Sequence, residues 1–182
     1  MTEDQHSDYQ SLVPNFEFAE TLKEQQAQLE DNPLVARVAA SRRELAGDPY
    51  RPIYHFVSPE STMNDPNGLC FWNGRWHLFY QGYPPEDPRQ HWGHAVSKDL
   101  IHWQDLPYAI YPDPEYQCFS GATLVEKDRV IAIYHGTRAG NMVAVSDDPL
   151  LLNWTKLTGQ AVIPIAAPDG SPLPSTVGAS RL

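Results

Sequence analysis

Gly68–Gly82 reads GLCFWNGRWHLFYQG, and Gly121–Gly136 reads GATLVEKDRVIAIYHG. In the first stretch two apolar, aromatic-rich runs flank Asn73-Gly74, the strongest short-range signal for a β-hairpin. Trp76, Leu78 and Tyr80 alternate with His77, Phe79 and Gln81, so both faces of the second run are largely apolar, as in a strand covered on both sides. A further pair follows in the same order, AVSKDLIHW at Ala95–Trp103 and AVSDDPLLLNW at Ala144–Trp154. A unit of four short strands recurring at about fifty residues is the pattern of a β-propeller blade, whose twisted sheets pack face to face. Trp103 and Trp154, at the same place in each unit, are expected in blade cores.

Residues 1–49 follow a different period. Phe18, Leu22 and Leu29 share one helical face, and Asn32-Pro33 opens a second helix carrying Leu34, Val35, Val38 and Leu45, closed by Gly47. We read this part as a helical N-terminal extension that packs on the main domain, residues 50–182. The chain has 182 residues, 41% of them hydrophobic, enough for one core. Its 17 prolines, concentrated after residue 50, argue against a mainly helical protein. A formal charge of -10 disfavours nucleic acid and anionic membrane surfaces as partners. The opening MTEDQHSDYQ lacks the basic start and apolar run of a secretory signal, and no later stretch reaches membrane-spanning length, so the expected location is the cytoplasm. Cys70 and Cys118 lie inside apolar segments and are read as two buried thiols rather than a disulfide.

Asp65-Pro66-Asn67-Gly68, just ahead of the first unit, has the residues a type I turn prefers. The second unit enters its strand through Cys118-Phe119-Ser120 instead, so blade architecture does not require the motif and a turn alone does not explain it. Propellers bring such entry points together at one mouth of the central channel, which would place Asp65 on a shared pocket. Pro66 biases Asp65 to an extended conformation at a strand start. Asn64 and the aromatics Trp92 and Phe119 lie nearby in this arrangement, and a carboxylate, amides, hydroxyls and flat apolar faces suit a sugar. Trp92 either packs or lines the pocket. His91 and His94 are three apart on a strand and point to opposite faces, so no metal site is read there.

YHFVSPESTMNDPNGLCFWNGRWHLFYQ, HWGHAVSKDLIHW and CFSGATL, in that order and spacing, resemble the N-terminal half of the catalytic propeller of glycoside hydrolase family 32. That family comprises invertases, sucrose hydrolases, inulinases and levanases. The resemblance implies an all-β fold: the first two blades and the start of a third of a five-bladed β-propeller. It also implies retaining hydrolysis of β-fructofuranosides such as sucrose, fructo-oligosaccharides or fructans, with no metal or cofactor. Asp65 takes the place of the nucleophile, and Asn64, Gln81, Phe119 and Ser120 match positions that hold the fructose ring; Trp92 is added as a candidate sugar contact. Retention needs a second carboxyl group about 5 Å from the first. The family supplies it, with a stabilising aspartate, in later motifs not found here, so the chain is read as a truncated member, inactive alone or completed by another chain carrying the remaining blades. The alternative is a non-catalytic fragment that binds sugar or a partner. Related propeller families whose aspartate acts as a general base are a smaller alternative. Glu115 is the local candidate for a replacement acid, against the ordinary fate of a solvated loop glutamate. The sequence departs from the family at Thr62, at Gly82-Tyr83 and in the short loop GYPPEDPRQ, which lacks the usual tryptophan.

Overall fold

The computed structural model describes residues 9–52, 55–167, 169–171 and 173. Two helices come first, α1 (Leu22–Glu30) and α2 (Pro33–Leu45). Thr21 caps α1 by accepting the Glu24 N–H, and Asn32 caps α2 by accepting from the N–H groups of Leu34 and Val35, with Pro33 in the first turn where no N–H is needed.

Strands β1 (Met63–Trp72), β2 (Arg75–Gly82), β3 (His91–Ser97) and β4 (Trp103–Ile110) form one antiparallel sheet in sequence order. Strands β5 (Cys118–Val125), β6 (Val130–Gly136), β7 (Gly140–Ser146) and β8 (Thr155–Lys156) form the second. The short β9 (Ile163–Pro164) pairs with Gly140 and Asn141 of β7, while β8 pairs with Ala144 and Val145, so β8 and β9 are two pieces of the second blade's outer strand. The start of a third blade was expected after this point, in a stretch that lies largely outside the described residues.

The repeated sequences make repeated structures. Asn73 and Gly74 have φ of 46° and 76°, the left-handed pair that a two-residue hairpin turn requires, and Trp72 pairs with Arg75 across it. After β3, the Ser97 hydroxyl accepts from the N–H groups of Asp99 and Leu100, and Asp99 accepts from those of Ile101 and His102. After β7, Asp148 likewise gathers the N–H groups of Leu150, Leu152 and Asn153, with Ser146 donating to it.

The alternation along β2 is used on both faces. Phe79 and Trp92 pack toward the second blade, against Tyr134 and Trp154, with Trp92–Tyr134 and Phe79–Trp154 ring centroids 5.4 and 5.6 Å apart. Tyr80 faces the other way, onto Phe56. Fully burying each of Phe79, Trp92 and Tyr134 contributes about 2–3 kcal/mol, which makes the inter-blade seam the main core. Trp103 lies outside it, edge-on to Phe56.

The N-terminal segment packs across the outer strand of the first blade and the β7–β8 connection of the second. Val13, Leu34 and Val38 meet Tyr108 and Tyr111, and Leu29 joins Leu106 of the first blade to Leu150 and Leu152 of the second. Gln25, fully buried in α1, donates to Asp148 Oδ1 at 2.9 Å and accepts the Leu150 N–H at 3.1 Å. Cys70 and Cys118 are free and buried, as the reading of two thiols has it, and burial pushes both thiol pKa values up. Among the described residues no helix is long and apolar enough to cross a membrane.

Candidate active site

Asp65-Pro66-Asn67-Gly68 is not a turn: β1 runs straight through it, with register shifts between Met63 and Pro66 and between Asn67 and Cys70. Two causes are local. Pro66 has no N–H to give a ladder, and β1 is an edge strand of its sheet, where this is tolerated. Gly68 takes φ of 58° in a place where a Cβ would lie 3.1 Å from Phe79 and 3.2 Å from both Thr123 and Trp92. Asn67 holds the kink by donating its side-chain amide to the Asp65 carbonyl at 3.2 Å. Strand β5 opens with the same kind of irregularity, a shift between Cys118 and Gly121.

These two bulges aim side chains at each other across the seam. Ser120 Oγ donates to Asp65 Oδ2 at 2.6 Å, and Gln81 Nε2 donates to Ser120 Oγ at 2.7 Å. Gln90 Nε2 donates to Gln81 Oε1 at 2.9 Å and to the Tyr83 hydroxyl at 2.6 Å, and Asn64 Nδ2 donates to that hydroxyl at 2.9 Å. Asn64, Asp65 and Phe119 are exposed, whereas Gln81 and Gln90 are buried beneath them. The arrangement presents an exposed carboxylate, one oxygen of which is fixed by a hydroxyl, on a floor of hydrogen-bonded amides.

Asn64, Asp65, Gln81 and Ser120 are thus gathered into one network; Phe119 precedes Ser120 in the chain, and its exposed ring lies 6.1 Å from that of His135. Trp92 is placed differently. It is fully buried, and its indole N–H donates to the Phe119 carbonyl at 2.9 Å, so it holds Phe119 from below rather than facing solvent. Glu115 corrects the picture of a solvated loop glutamate: it is sealed in the core, accepting from Tyr134 OH at 2.7 Å, from Cys118 Sγ at 3.2 Å and from Lys156 Nζ at 2.6 Å. Three donors on one oxygen make it a structural anion beneath the Cys118-Phe119-Ser120 entry. His91 reaches Ser11 Oγ at 2.6 Å, while His94 meets His77 Nδ1 at 3.0 Å inside the seam. Among the described residues no group of three His, Cys, Asp or Glu side chains is arranged to hold a metal ion.

Tyr83 and Gln90 are the residues of this network that sequence reasoning did not place in the site, Tyr83 being noted only as part of a departure from the family. The signal was the hairpin register: Gly82 pairs with both Met63 and His91, so residues just beyond either strand end must lie beside Asn64.

The model of the glycosyl hydrolases family 32 N-terminal domain matches residues 55–173. The chain is 44% identical over 131 residues to levanase of Bacillus subtilis (strain 168), covering 63% of this chain and 19% of that protein. It therefore spans about a fifth of the length of that curated relative. Among solved structures, sucrose-6-phosphate hydrolase from Lactobacillus gasseri is similar with a TM-score of 0.59 at 29% identity, over 74% of this chain and 30% of the other. Fructan 1-exohydrolase IIa from Cichorium intybus, in a complex with 1-kestose, is similar with a TM-score of 0.60 at 35% identity, over 66% of this chain and 25% of the other. Paired blades, kinked first strands and a family match over most of the described residues agree: the chain belongs to glycosyl hydrolase family 32.

Proposed function

We propose that the chain supplies the nucleophile half of a retaining β-fructofuranosidase site, acting on sucrose, fructo-oligosaccharides or fructans. The observation that carries this reading is the Ser120–Asp65 hydrogen bond: an exposed carboxylate is oriented through Oδ2, which leaves Oδ1 to attack. Oδ1 forms a bond to the fructosyl anomeric carbon as the bond to the leaving oxygen breaks, and water later displaces the ester. Asn64 and Phe119 bind the ring, and Gln81 steadies Ser120. The leaving oxygen needs a proton, and the network around Asp65 contains no second carboxyl group among the described residues. Glu115 does not fill this role, because it is sealed beneath the site. The acid/base group comes from outside these two blades, in the same protein or a complementing chain.

A second reading, a sugar-binding module without hydrolysis, is favoured by that same missing carboxyl group. The two are separated with β-fructofuranosyl fluoride, whose fluoride departs without a proton. The nucleophile reading expects a fructosyl ester on Asp65, detected by mass spectrometry of peptides and absent from Asp65→Asn. Fructose binding without any ester supports the binding module instead, and absence of both refutes the two readings together.

A further inference from the structure

The loop between β2 and β3 carries Tyr83 at its start and Gln90 at its end, so its course sets both side chains that complete the Asp65 network. That course is fixed by a buried charge. Asp87 is fully buried; its Oδ1 accepts from the Arg89 N–H at 3.1 Å and Nε at 2.8 Å, and its Oδ2 from Arg89 Nη2 at 2.6 Å and the Leu12 N–H at 3.2 Å. Arg89 in turn donates to the carbonyls of Tyr9 at 2.7 Å and Gln10 at 2.9 Å. His91, on the far side of Gln90, bonds Ser11 Oγ at 2.6 Å and the Arg89 carbonyl at 2.8 Å. Residues on both sides of Gln90 are therefore tied to the N-terminal segment. Gln90 itself joins the second blade: its N–H donates to Gln117 Oε1 at 3.1 Å, and its carbonyl accepts the Cys118 N–H at 2.9 Å.

Burial alone would raise the Asp87 pKa; the hydrogen bonds from Arg89 and Leu12 outweigh it and hold the carboxyl at about 2. A buried anion that satisfies four donors is a stiff anchor, since any displacement strands a charge out of water.

We propose that Asp87, locked to the N-terminal segment Tyr9–Leu12, is a positioning residue for the Asp65 site: it sets the loop so that Gln90 aligns Gln81 and Tyr83, and through them Ser120 and Asn64. This rests on reading the Asp65 network as a fructoside site. The N-terminal segment then belongs to the machinery of the site, acting through the loop rather than on the sugar.

The test compares Asp87→Asn with Leu29→Ala, a cavity in the α1 contact with Leu106, Leu150 and Leu152 that lowers stability away from the loop and from residues 9–12. Side-chain amide resonances of Asn64, Gln81 and Gln90 are followed by NMR, together with the rate of Asp65 ester formation from β-fructofuranosyl fluoride. Asp87→Asn is expected to shift all three amides and to lower the rate at sub-saturating probe about ten-fold, the scale of one hydrogen bond to a charged group. Leu29→Ala is expected to leave the amides in place at an equal loss of melting temperature. Should Asp87→Asn fold poorly, Ser11→Ala loosens the same tie at its rim and is expected to shift the same amides by less. Amides that move no more in the Asp87 and Ser11 variants than in Leu29→Ala overturn the proposal. If the unmodified protein forms no ester and binds no fructose, the site reading fails, while the amide shifts still decide whether Asp87 positions the loop.

Discussion

Replacing Lys156 by methionine is expected to cost far more than replacing its partner Glu115 by glutamine. The ion pair is 2.6 Å long, with a fully sealed carboxylate and an ammonium that keeps 17% of its side-chain surface exposed. Lys156→Met removes the cation bonded to an anion that has no path to water, a loss of about 3–5 kcal/mol. Glu115→Gln removes the buried charge instead. The glutamine carbonyl still accepts from Tyr134, and Lys156 keeps the carbonyls of Tyr111 and Asp113 while its tip reaches solvent, so the loss is about 1–2 kcal/mol. The double variant no longer buries an unpaired charge and is expected to resemble Glu115→Gln, giving a coupling of about 3–5 kcal/mol. Urea unfolding followed by tryptophan fluorescence measures all three changes. With a slope of ~2 kcal/mol per molar urea, a loss of 4 kcal/mol moves the midpoint by about 2 M. A Lys156→Met cost below 1 kcal/mol, or one no larger than that of Glu115→Gln, would refute the reasoning.

Other outcomes follow from the same packing. Gly93→Ala places a Cβ 2.2 Å from the Tyr80 ring, which is buried and cannot retreat, and is expected to cost about 3 kcal/mol or more; Gly47→Ala, with nothing within 4 Å, is expected to change stability by no more than ~0.5 kcal/mol. Melting temperatures separate the two. Trp92→Phe keeps a ring in the seam but strands the Phe119 carbonyl, a loss of about 1–3 kcal/mol, and fructose titration is expected to show weaker binding because Phe119 is released. Burial, with a smaller contribution from Arg75, lowers the pKa of His77 to about 4, and burial lowers that of His91 to about 4, against 6.5 when exposed. Between these values the unfolded chain binds protons that the folded chain refuses. The stability from each histidine is therefore complete above pH 6.5 and lost as pH falls toward 4, by up to ~3 kcal/mol per group. Urea midpoints flat across this range would contradict it, and His77→Asn is expected to flatten part of the slope.

The blades were legible because their signals are local. Asn73-Gly74 names its own turn, and the Ala-Val-Ser stretches close with the same serine and aspartate contacts in each repeat. The carboxylate at Asp65 was legible for a related reason: one repeat carries a feature that the other does without. What escaped was set by contacts far apart in sequence. Nothing near Glu115 tells a solvated glutamate from one sealed by Lys156 and Tyr134, because its neighbours Asp113, Pro114 and Tyr116 read as a surface loop. Trp92 lies next to Gly93 on an all-buried strand, and only the pairing of blades decides that its ring faces the seam. Tyr83 and Gln90 belong to a proline-rich loop with no periodicity, whose shape is imposed by residues 9–12 across a gap of some eighty positions.

The kink that opens β1 recurs where β5 opens, once per repeat and always on the innermost strand. It behaves as a socket that the blade supplies whether or not chemistry is placed in it. In the first blade the socket holds a carboxylate, in the second a hydroxyl that steers it. The fold thus separates the address of a functional group from its identity, so a single exchange at a socket can change what the pocket does while leaving the ladders and the seam that support it untouched.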